Sequence, residues 1–108
     1  MNKIKFSHNW NNKLNHEVFT TIRKSTPEKC QYYFDEVGKV FEVVNLDKHI
    51  CNARLIEIEE KKFKEIPLGL LHTDTGIINN YEIEDLFKRF GITREVFVLI
   101  LTFLRIKE

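Results

Sequence analysis

At 108 residues, with 43% hydrophobic and 31% charged side chains, the chain has the make-up of a foldable globular protein, not of a disordered one. Seventeen Lys and Arg against sixteen Asp and Glu leave a formal net charge of +1, so no global field draws it toward nucleic acid or a membrane, and any anionic ligand must be held by a local cluster. Cys30 and Cys51 are too far apart for a CxxC redox or zinc pair and no secretory apolar segment opens the chain, so the expectation is one reduced, cytoplasmic domain over 1–108, without cofactor or metal.

Lys3-Ile4-Lys5-Phe6 alternates polar and apolar residues and predicts a first strand. Ser7 to Asn12 is rich in capping and turn residues and predicts a loop with a short helical turn. Val18 to Arg23, mostly β-branched and aromatic, predicts a second strand. Pro27 disfavours helix at Thr26, so Lys24 to Glu28 reads as a connection, and Cys30 to Val37 stays ambiguous.

After Gly38, Lys39 to Val44 and a return strand from about His49 to Glu60 form a hairpin turning at Asn45-Leu46-Asp47-Lys48. Strict alternation places Ile56 and Ile58 on one face of the return strand and Ala53 and Leu55 on the other. A helix over Lys64 to Leu71 tolerates Pro67 in its first turn. Asn79 and Glu82 make a capping pattern for a helix carrying Ile83, Leu86, Phe87 and Phe90 at helical spacing, which ends before Gly91. The apolar run Val96 to Phe103 is far short of the roughly 20 residues of a membrane helix and predicts a buried central strand.

Three segments in this order, Phe19-Thr20-Thr21-Ile22-Arg23, Val37-Gly38 with its strand, and Asp74-Thr75-Gly76 before the last helix, resemble the ASCH branch of the PUA-like superfamily. The resemblance implies an α+β fold, a PUA-like small mixed β-barrel with two or three short helices and a cleft on one side. It also implies RNA or a modified nucleotide as partner. Some small members hydrolyse N4-acylated cytidine with a Lys, a Thr and a Glu. The approximate motif Gly-x-Lys-x-x-[Glu/Thr]-x-Arg places its Arg on Arg23 and its Glu or Thr on Thr21, but its Lys on Val18 and its Gly on His16; the expected Glu falls on Asp74. Valine neither transfers a proton nor stabilises an oxyanion, so the motif favours binding over catalysis. If the chain is an enzyme, Thr21 and Asp74 are its catalytic candidates.

Lys3, Lys5, His8, Lys13, Arg23 and Lys24 load the first quarter of the chain with positive charge against Glu17 alone. Alternation puts Thr21 and Arg23 on one side of their strand, where Arg23 either presents its guanidinium fork to a ligand or pairs internally with a carboxylate such as Asp74. Lys24 and Lys13 attract phosphate in the ligand reading. Asp74 is either an acid-base and acceptor group or a turn-capping residue. Trp10 is either a stacking platform for a base or part of the core. His72 near Asp74 lacks any recognisable metal spacing. A third reading, a protein-interaction domain without nucleotide, requires Arg23 paired internally and the cleft filled by side chains.

Overall fold

A computed structural model describes residues 1–107, without the side chains of Trp10 and Asn11. Five strands, β1 (Asn2–Phe6), β2 (Val18–Lys24), β3 (Val40–Asn45), β4 (Lys48–Lys62) and β5 (Phe97–Arg105), form one sheet in the order β1-β3-β4-β5-β2. The β1–β3 pair is parallel and the others are antiparallel. Three α-helices accompany the sheet among the described residues: α1 (Pro27–Asp35), α2 (Leu68–Thr75) and α3 (Asn80–Lys88). Short 3-10 turns cover Trp10–Asn15 and Phe63–Glu65.

The fold is mixed α+β as expected, but the ladder is not a closed barrel. β1 and β2 end the sheet, with no main-chain ladder between them. They nevertheless approach, since the rings of Phe6 and Phe19 lie edge to face at 6.3 Å. Side chains span this seam in place of main-chain bonds.

β5 shows why its sequence is apolar at successive positions. Leu99, Leu101 and Phe103 enter a cluster fed by all five strands, which includes Ile4, Phe19, Phe41, Val43, Ala53 and Leu55. Val98 and Ile100 enter a second cluster with Ile22, Phe63, Leu71, Ile83 and Phe87, under α2 and α3. A strand with apolar contacts on both faces loses the polar-apolar alternation of a half-exposed strand.

Three sequence expectations need correction. The connection expected at Lys24 to Glu28 stops sooner, because α1 begins at Pro27. Proline is well suited to the first helical position, and the Thr26 hydroxyl caps the helix by accepting from the Lys29 N–H. The ambiguous stretch after Cys30 is therefore helical as far as Asp35.

In β4 a register shift lies between Leu55 and Glu57, opposite Phe103 and Thr102. Ile56 is the extra residue, and it reverses the parity. Ile58 pairs with Leu101 and packs on the same cluster as Leu55, whereas Ile56 is 43% exposed. Ile56 and Ile58 thus do not share a face.

The helix expected over Lys64 to Leu71 runs instead from Leu68 to Thr75, with Gly76 closing it at φ 74°. Left-handed backbone after a helix is a conformation that glycine adopts without strain. Asp74 and Thr75 therefore belong to the last turn of α2 and are not loop residues. α3 starts at its expected cap, with the Asn79 side chain accepting from the N–H groups of Tyr81 and Glu82, but it ends at Lys88, so Phe90 lies in the turn beyond it.

Candidate functional site

The seam between β1 and β2 opens into a pocket of about 260 Å³. Lys5, Phe6, Ser7 and His8 line it from β1 and the turn after it, and Thr21 to Lys24 from β2. Lys13 comes from the 3-10 segment, Lys29 from α1 and Asp74 from α2, while Phe87, Phe90 and Ile92 come from α3 and its exit. The pocket exists because the sheet stops short of closing there.

Arg23 crosses the seam. Its Nη2 donates to the Lys5 carbonyl at 2.8 Å, its Nε donates to the Thr21 hydroxyl at 3.2 Å, and its guanidinium lies 4.8 Å from the centre of the Phe6 ring. Two hydrogen bonds and a cation–π contact fix the plane of the fork and leave its remaining N–H donors for a ligand. Burial holds the guanidinium below its ordinary range, against the opposing influence of Tyr33 and Asp74.

Deeper in the pocket, Asp74 Oδ1 accepts from Lys13 Nζ at 2.9 Å and from the Thr20 hydroxyl at 3.0 Å. The side chains of Lys13 and Asp74 are only 6% and 1% exposed. Burial lowers the affinity of Lys13 for its proton; the charge of Asp74 and its hydrogen bond oppose that shift, and the nearby Arg23 adds to it. Both bonds fall on Oδ1.

Of the residues singled out in the sequence, Thr21, Arg23, Lys24, Asp74 and Lys13 all line this one pocket. Trp10 lies outside the described side chains. The internal pairing considered for Arg23 takes another form: the Asp74 carboxylate pairs with the Lys13 ammonium, and Arg23 binds a carbonyl and a hydroxyl. Nor is the cleft filled, as the protein-interaction reading requires. Val18, at the motif's lysine position, is 49% exposed and absent from the pocket wall. The ammonium beside Asp74 comes from Lys13, eight positions after Lys5 and on a different element.

Thr20 escaped the sequence reading because strand alternation assigns it to the face opposite Thr21, and that face meets α2. Lys29 escaped because its segment was not recognised as a helix returning over the pocket. Among the described residues, no three of His, Cys, Asp and Glu gather as a metal site.

No family model and no curated protein matches the sequence. Among solved structures, the crystal structure of an ASCH domain from Lactobacillus crispatus JV V101 matches with a TM-score of 0.62 over 88% of this chain and 68% of that one, at 14% identity. The chain has the ASCH-domain fold. The likeness is one of fold, over most of the chain and at low sequence identity. Among the described residues, no helix is long and apolar enough to cross a membrane.

Proposed function

We propose that the chain is a nucleotide-recognition module whose pocket takes one nucleotide, either free or as an unpaired residue of RNA, modified or not. The observation that carries this reading is the charge of the pocket wall. Five cationic side chains, Lys5, Lys13, Arg23, Lys24 and Lys29, face a single carboxylate, Asp74, which is already paired. In a protein of net charge +1 this is a strong local concentration.

Beside the charges lies an apolar wall of Ile22, Phe87, Phe90 and Ile92, with the Phe90 side chain 49% exposed. Cations next to aromatic faces suit a ligand that is both anionic and flat. A volume of about 260 Å³ sits near the roughly 300 Å³ lower end of small-molecule pockets and fits one nucleotide better than a helical stretch of RNA. At the polar end, Asp74 and Thr21 line the pocket with a carboxylate acceptor and a hydroxyl suited to a base edge.

Isotope-edited NMR titration with nucleoside monophosphates and short single-stranded oligoribonucleotides tests the reading. Perturbations centred on Thr21, Arg23 and Asp74 are expected. Saturating binding that maps elsewhere, or no binding to any of them, overturns it.

One observation favours a second reading, amide hydrolysis of N4-acylated cytidine-type nucleosides. Lys13 supplies beside Asp74 and Thr20 the ammonium that Val18 cannot. In this reading Asp74 takes a proton from the attacking water while Lys13 with Thr21 steadies the developing oxyanion; as the intermediate collapses the C–N bond breaks and Asp74 returns the proton to N4, releasing the carboxylic acid and the free cytidine amine. Carboxylate release from acylated cytidines, abolished in Asp74→Asn, is the expected signature; no turnover at high enzyme concentration removes this reading and leaves the binding module intact.

A further inference from the structure

We infer that Lys5, Lys24 and Lys29 form a phosphate subsite at the mouth of the pocket, which makes its ligand a phosphorylated nucleotide and not a neutral nucleoside. This rests on the nucleotide reading above and extends it to the part of the ligand outside the base.

The cations of the pocket differ in their partners. Lys13 is neutralised by Asp74, deep in the pocket. Lys3, Lys39, Lys61, Lys62 and Lys64, elsewhere on the surface, each stand within ion-pair distance of a glutamate. Lys5, Lys24 and Lys29 are exposed, line the pocket, and have no ion pair to a carboxylate among the described residues. Three ammonium groups without a carboxylate partner therefore gather at an opening that leads to polar groups suited to a base.

The three lysines come from three elements, which gives the cluster a defined shape. Lys5 is on β1, Lys24 ends β2, and Lys29 sits in the first turn of α1 after the short Ser25-Thr26 connection. The ammonium of Lys24 lies 3.4 Å from where a Cβ on Gly91 would stand, so it reaches the exit of α3. The carbonyl end of a helix favours a cation there. A phosphate monoester carries up to two charges and several acceptor oxygens, which several separate ammonium groups can share.

The test compares nucleosides, their 5′-monophosphates, ribose 5-phosphate and a single-stranded trinucleotide by calorimetry at low salt, in wild type and in K24Q/K29Q. Both substitutions are on exposed side chains, and circular dichroism checks the fold. In wild type the monophosphates are expected to bind at least about tenfold tighter than the nucleosides, the scale of one charge-assisted hydrogen bond. In K24Q/K29Q that preference is expected to fall below about threefold, since each lost contact is of the same order.

Tighter binding of the monoester than of the trinucleotide assigns the subsite to a free nucleotide, and the reverse assigns it to an RNA strand. Equal affinity for nucleoside and monophosphate, or a preference that survives in the double variant, overturns the subsite while the base-binding reading stands. Binding of ribose 5-phosphate as tight as that of the nucleotides, with no binding of any nucleoside, keeps the subsite and removes the base reading. Silence from every probe overturns both.

Discussion

Lys13 Nζ lies 2.9 Å from Asp74 Oδ1, and the pair is buried at the floor of the pocket, joining the 3-10 segment after β1 to the last turn of α2. Taking two charges out of water is costly, and what compensates is their mutual attraction together with the extra hydrogen bond from Thr20. Removing one member strands the other.

Lys13→Met is therefore expected to lower unfolding free energy by about 3 to 5 kcal/mol, with Asp74 left as an uncompensated buried carboxylate. Lys13→Met combined with Asp74→Leu should cost clearly less than the sum of the two single changes, because neither charge remains. Urea unfolding of the four proteins measures the coupling. A cost below about 1 kcal/mol for the single change would mean that the pair is solvated in solution.

The lowered proton affinity of Lys13 has a pH signature. Between the depressed folded value and the ordinary 10.5, the unfolded chain holds a proton that the folded chain has released, so stability rises with pH across that window. At lower pH both states are protonated and the cost of burying the charge is fully present. Wild type should thus gain stability relative to Lys13→Met as pH rises toward 10.5. Parallel stability curves for the two proteins would contradict the depressed value.

Arg23 tests geometry apart from charge. Arg23→Lys keeps the cation but loses the fork that reaches both Thr21 and the Lys5 carbonyl. Nucleotide affinity is expected to fall about tenfold, which corresponds to roughly 1.4 kcal/mol. Unaltered affinity would reduce Arg23 to a staple across the seam.

The bulge in β4 makes an unequal pair of neighbours. Ile58→Ala removes a side chain that packs on the five-strand cluster and is expected to cost about 1 to 2 kcal/mol, below the full-burial range because Ile58 is only partly buried. Ile56→Ala, on the exposed extra residue, should stay within about 0.5 kcal/mol. Equal costs in thermal unfolding would restore simple alternation.

At the β3–β4 turn, Leu46 and Asp47 hold φ of 50° and 64°. Two successive positive values are those of the turn that prefers Asn-Gly. L46N/D47G is expected to stabilise by about 1 kcal/mol, and a lowered melting temperature would show that the turn differs in solution.

The fold was legible where a residue's chemistry acts locally. Asn79 declared the start of α3, the Val18–Arg23 composition declared β2, and the apolar run near the C-terminus declared β5. It was illegible where the outcome depended on distant partners. Nothing local marks Ile56 as an extra residue, because the bulge is defined against β5. α1 buries no residue fully, so its weak amphipathic pattern left only Thr26 and Pro27 to announce it.

The candidate site divides the same way. Thr21 and Arg23 followed from strand alternation, whereas the lysine beside Asp74 came from a separate segment that the motif spacing does not cover. Sequence could register a departure at Val18; only the three-dimensional arrangement shows an ammonium arriving from Lys13.

The open seam also bears on how the protein can respond to what it holds. Along the rest of the sheet, widening the gap between neighbouring strands breaks a run of main-chain hydrogen bonds. Between β1 and β2, widening strains only side-chain links such as the Arg23–Lys5 bond and the Phe6–Phe19 contact. The pocket is thus the most compliant line in an otherwise cross-linked sheet, and a ligand grasped from both sides would act as the missing rung, stiffening the domain where it is softest.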